Sequence, residues 1–98
     1  MNHPRNETIE DFEKKTSEVN QKIDELQEKL ETLPRKYGEE SQALINDLKA
    51  KRARFENRIV KLKNATTKSY GDFRAATDLA FEDLKTAMSS ARSRFKDA

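Results

Sequence analysis

The chain has no cysteine, no tryptophan, a single histidine, and only two glycines and two prolines among its 98 residues. Without cysteine there are no disulfide staples, no thiolate nucleophiles and no thiolate metal sites. A metal site needs several converging ligands, and His3, alone in a polar start, does not supply them. So few glycines exclude a glycine-rich phosphate loop. Ser89, Ser90 and Ser93 have no neighbouring base to activate them. Glu82 and Asp83 are adjacent in sequence and point to different sides of a helix. The expectation is a chain that is not an enzyme, with no cofactor and no small-molecule substrate. No stretch approaches the roughly 18 apolar residues of a membrane span. Residues 1–7 lack the apolar core of a signal peptide, so the expected location is the cytoplasm.

What is abundant is charge. Charged residues make up 39% of the chain and apolar residues 34%, yet the net charge is only +2. Typical domains carry about a quarter charged and about 45–50% apolar residues. A thick globular core is therefore not available. Disorder would show little apolar periodicity, whereas the apolar residues here are strongly periodic. Long helices with narrow apolar seams satisfy both observations.

The first seam is Ile9, Phe12, Thr16, Val19, Ile23, Leu26, Leu30, Leu33. Its spacing alternates between three and four residues, the heptad pattern of a coiled coil. Thr8 followed by Asp11 reads as a start signal, with residues 1–6 frayed before it. Pro34 disfavours a helical residue before it. Gly38 suits a left-handed cap, and Glu39-Glu40 suit the next N-terminus. These place a turn near 34–38.

The second segment carries Leu44, Leu48, Phe55, Ile59 and Leu62 on one stripe, widened by Ile45 and Val60 and interrupted by Arg52. Residues 64–72 are weak helix formers, and Ser69-x-x-Asp72 resembles a capping box, which places a second turn near 66–71. The third segment changes period. Phe73, Ala76, Ala80 is followed by Leu84, Ala87, Ala91 and then Phe95, Ala98, each recurring after eleven residues. That is about 3.67 residues per turn, close to a straight helix. Leu79, Phe81 and Met88 lie beside this stripe and widen it.

Charge tests the pairing of the first two segments. Residues 6–33 hold nine acids and four bases, whereas residues 49–63 hold seven bases and one acid. Folding back at about residue 35 brings Ile9 opposite Leu62, Phe12 opposite Ile59 and Ile23 opposite Leu48. The same fold sets Glu7, Glu10, Asp11, Glu13 and Glu18 near the basic run. Register and charge agree, and such agreement across levels favours one structure. The fold expected is all-α, an antiparallel three-helix bundle in a single domain over 1–98. Its alternative is a helical hairpin with one long second helix, 38–97, that needs a second chain to cover its stripe.

The candidate interaction surface is the basic run Lys49, Lys51, Arg52, Arg54, Arg58, Lys61 and Lys63 together with Phe73, Phe81, Leu84 and Phe95. A basic run with amphipathic neighbours fits an anionic membrane or polyanion surface. Neutralisation by the acidic first segment is the favoured account of it. Tyr37 and Tyr70 form no aromatic ladder for base stacking, which disfavours nucleic acid.

The pattern over residues 48–95 resembles a family of small bacterial coiled-coil proteins labelled as stress-response proteins. The matching features are Leu48-Lys49-Ala50-Lys51-Arg52, Leu62-Lys63-x-Ala65, Tyr70-x-Asp72-Phe73-Arg74-x-Ala76, Ala80-Phe81-x-x-Leu84-Lys85-x-Ala87 and Ala91-x-x-x-Phe95. Family members tend to repeat Ala-Trp-x-x-Leu-Lys at the same eleven-residue interval. Here Tyr70 and Phe81 stand where Trp is usual, and Ala76 where Gly is common. The resemblance implies a soluble, non-enzymatic bacterial protein linked to stress, and it carries no functional residues. The function expected is a structural or interaction coiled coil that works by self-association or by docking a partner helix. Its alternative is a peripheral binder of anionic membrane or polyanion surfaces through 49–63 and the 73–95 face.

Overall fold

The structure is a computed structural model that describes residues 4–35 and 38–94. Three helices follow one another: α1 (Pro4–Glu31), α2 (Gly38–Lys63) and α3 (Tyr70–Arg94). At 28, 26 and 25 residues they are closely matched, each about 40 Å long. They stack into a rod of 52 × 22 × 16 Å. The fold is the all-α antiparallel three-helix bundle that the periodicity predicts.

Each helix start has a local cause. α1 begins at Pro4, upstream of the Thr8 signal, so residues 4–6 are helical rather than frayed. Proline suits the first helical position, where its missing N–H is not needed and its φ is already helical. α1 ends in a tight turn: Thr32 and Leu33 donate backbone N–H bonds to Lys29 and Leu30 carbonyls at 3.2 Å. The Thr32 hydroxyl also donates to the Lys29 carbonyl at 2.7 Å. Gly38 does not take the expected left-handed cap; no described glycine has positive φ. It is instead the first residue of α2.

The second turn falls slightly earlier than its sequence signal. α2 ends at Lys63 and α3 starts at Tyr70. Thr66 and Ser69 form the capping box, in place of the Ser69–Asp72 pair. The Ser69 hydroxyl accepts the Thr66 N–H at 3.1 Å, and the Thr66 hydroxyl accepts the Ser69 N–H at 3.2 Å, the reciprocal arrangement of such a box. Gly71 lies inside α3. The chain thus turns before Gly71, and the unbroken helix over 38–97 does not form.

α2 is the central element, packed against α1 on one side and α3 on the other, while α1 and α3 approach each other least. The core is one cluster of seam residues: Phe12, Val19, Ile23, Leu26 and Leu30 from α1; Ile45, Leu48, Phe55, Ile59 and Leu62 from α2; Ala80, Leu84, Met88 and Ala91 from α3. Phe55 sits at its middle. Its ring meets Phe12 edge-on at 6.1 Å and Phe81 at 5.3 Å, centroid to centroid. These separations suit aromatic pairing and tie all three helices together.

Two apolar residues assigned to the core are not in it. Val60 is 53% exposed and Leu79 is 71% exposed. In the α2–α3 interface Thr77, by contrast, is fully buried. The Thr77 hydroxyl donates to the Phe73 carbonyl at 2.7 Å, so its polar group is satisfied within its own helix.

Candidate functional site

The basic run lies along α2, and α2 is flanked on both sides, so its cations face both neighbours. On the α1 side, Lys63 pairs with Glu13 at 2.7 Å. Arg52 donates to the side-chain oxygen of Asn20 at 3.3 Å and reaches Glu56 at 3.8 Å. On the α3 side, Asp83 stands 3.9 Å from both Lys51 and Arg54. Lys51 is also held by Asp47, one turn back, at 3.1 Å. At the far end Arg94 donates from Nε to Glu40. The run therefore works largely as a set of struts between helices. Exposed struts of this kind contribute about 0–1 kcal/mol each and act mainly on register.

This distribution corrects the charge argument. Of the five α1 acids set near the run, Glu13 alone makes an ion pair among the described residues; Glu7, Glu10, Asp11 and Glu18 make none. α3 supplies Asp83 instead. The physical reason is heptad position. Only residues flanking the seam on the α2 side can reach across, and Glu13, Asn20 and Gln27 recur there at seven-residue intervals.

The apolar members of the candidate surface do not join the cations on one exposed face. Leu84 is 0% exposed. Phe73 and Phe81 are half-buried and packed against the core. Phe95 lies outside the described residues, as does His3. Lys49 and Arg58 are half-buried and Lys61 is exposed, without an ion pair among the described residues.

Two features escaped the sequence reading. The first is the outer side of the α2–α3 pair. There Leu79 stands over a shallow groove of about 300 Å³ lined by Arg54, Arg58, Ala76, Ala80 and Asp83. The second is the cleft between α1 and α3. Lys15 projects into it, with Nζ 4.8 Å from the Phe81 ring centroid and 5.4 Å from that of Phe12. This places a cation over two aromatic faces and links the two helices that otherwise touch least. The three lysines Lys15, Lys22 and Lys29 share one heptad position, so spacing alone could have found this row.

No group of three or more His, Cys, Asp or Glu that could hold a metal ion occurs among the described residues. None of the described helices is long and apolar enough to cross a membrane. Comparison of the chain with family models, with curated proteins and with solved structures finds no match.

Proposed function

We propose that the chain is a non-enzymatic structural and interaction protein that works by helix–helix association, in the stress setting that its resemblance implies. The observation behind this reading is the outer α2–α3 groove. Among the described residues most of both seams packs into one core within the chain, so association does not rest on completing that core. Leu79 is nevertheless left 71% exposed, beside small residues Ala76 and Ala80 that allow close approach of another helix.

The partner best suited to this groove is a second copy. Arg54 and Arg58 stand on one wall and Asp83 on the other. A two-fold contact over Leu79 would set the arginines of each copy against the aspartate of the other, the self-complementary arrangement that an isologous interface needs. Concentration-dependent molar mass by light scattering tests this. The wild type should rise toward a dimer, and Leu79→Asp should remain a monomer with unchanged helicity. A wild type that stays monomeric across the concentration range removes the self-association reading.

The alternative, binding of anionic membrane surfaces through 49–63 and the 73–95 face, draws less support. Leu84 is in the core, and Phe81 packs on Phe55. It predicts pelleting with anionic vesicles at low salt, lost as salt rises.

A further inference from the structure

We propose that the cleft between α1 and α3 binds an oligovalent phosphate-type anion through Lys22, Lys29, Lys85 and Arg92, a site separate from the basic run and from the association groove. Two adjoining pockets, of about 240 and 340 Å³, open along this cleft and share Lys22 and Met88. Lys22, Lys29 and Arg92 surround the first, and Lys22 and Lys85 border the second. Lys22 and Lys29 are seven residues apart, as are Lys85 and Arg92, so each row repeats at about 10.5 Å along its helix. Two antiparallel turns make α1 and α3 run the same way. The loosely packed cleft between them carries five cations, Lys15, Lys22, Lys29, Lys85 and Arg92, against three acids, Glu18, Glu25 and Glu82.

Lys22, Lys29, Lys85 and Arg92 are uncommitted. None has a carboxylate within the 4.0 Å of an ion pair among the described residues, in contrast to Lys51, Arg52, Arg54 and Lys63 of α2. Lys15, further along the cleft, is held over two rings instead. Glu18, Glu25 and Glu82 also line the pockets. They sit three or four residues from a lysine on their own helix, and exposed pairs at that spacing are weak. A multivalent anion that touches both rows replaces such pairs and bridges α1 to α3.

The cleft floor decides the class of ligand. Leu26 and Met88 are 9% and 8% exposed, and the half-buried Phe81 ring is covered by Lys15. A lipid tail or the apolar face of a partner helix would gain little burial there. Recognition must come from charge, and the spacing of the rows favours a chain of phosphates over a single orthophosphate.

Thermal melts followed by circular dichroism test the site, with inorganic tripolyphosphate as probe, no divalent cation, and sodium chloride matching ionic strength. The wild-type midpoint should rise with the logarithm of tripolyphosphate concentration, and rise less with orthophosphate. The rise should vanish in Lys22→Gln/Arg92→Gln and persist in Lys49→Gln/Lys61→Gln, which removes two α2 cations. All these side chains are exposed or half-buried on the surface, and the melt in plain buffer checks that each variant folds. No rise beyond matched sodium chloride overturns the proposal, as does a rise that survives the cleft variant or is lost in the α2 variant. Run in the Leu79→Asp background at one fixed protein concentration, the same melts read this site apart from the Leu79 association.

Discussion

Phe55 of α2 lies against Phe81 of α3, with ring centroids 5.3 Å apart and planes tilted by 41°. Phe55 is fully buried and also meets Phe12 of α1. One ring thus links three helices in a bundle with a thin core. Truncation to alanine removes both the transferred area and the aromatic contacts, and it leaves a cavity that helices of this length cannot fully close. Phe55→Ala should cost about 3–5 kcal/mol, a large share of the stability of a domain this size. Urea unfolding followed by circular dichroism measures it. A loss below about 1 kcal/mol would show that the three rings do not meet in solution.

Ile23 is 0% exposed in the middle of the heptad seam. An aspartate there would place a carboxylate among Leu26, Leu48 and their neighbours with no partner. Burying an unpaired charge is prohibitive, so Ile23→Asp should abolish the cooperative thermal melt. An unchanged melt would contradict the heptad reading of α1.

The seam of α1 was legible because its spacing is regular and its polar member, Thr16, falls in register; its hydroxyl donates to the Phe12 carbonyl at 3.1 Å. The basic run was also legible, but its partners were not. Net charge per segment treats all α1 acids as equivalent, whereas only the flanking position that holds Glu13 reaches α2. The same averaging hid the Lys15, Lys22, Lys29 row inside a segment that is acidic overall. Val60, Leu79 and Thr77 show the other limit. Hydrophobicity put the first two inside and did not single out Thr77, yet position on the helix face decides, and a threonine can satisfy its hydroxyl within its own turn.

Thr77 lies beneath the α2 backbone, with its hydroxyl 3.4 Å from the Arg58 carbonyl oxygen as well as bonded to Phe73. Thr77→Val keeps the shape and removes the hydroxyl, and should cost about 0.5–1.5 kcal/mol. Thr77→Leu adds volume where the two helices approach closely, and should cost about 1–3 kcal/mol. Chemical denaturation resolves both. If leucine is the better tolerated substitution, the α2–α3 approach is looser than this geometry.

The Thr66–Ser69 box closes the start of α3. Thr66→Ala removes the hydroxyl that accepts the Ser69 N–H, so it should cost about 0.5–2 kcal/mol. Hydrogen exchange should show the loss locally, as faster exchange at Ser69 and the first turn of α3. Unaltered protection there would mean that the cap is made by other residues.

Gly71 separates a turn made before it from one centred on it, at the end of the 66–71 stretch. It lies in the first turn of α3, without positive φ, and a Cβ added there meets nothing within 4 Å. An alanine fits the native backbone and lowers the entropy of the unfolded chain, which typically stabilises by about 0.4–1 kcal/mol. Gly71→Ala should therefore raise the melting midpoint. A turn centred on Gly71 would behave in the opposite way, because alanine would then oppose the bend. The sign of this one change, read from a thermal melt, places the second turn before or at residue 71, and the geometry of the Thr66–Ser69 cap requires that it be positive.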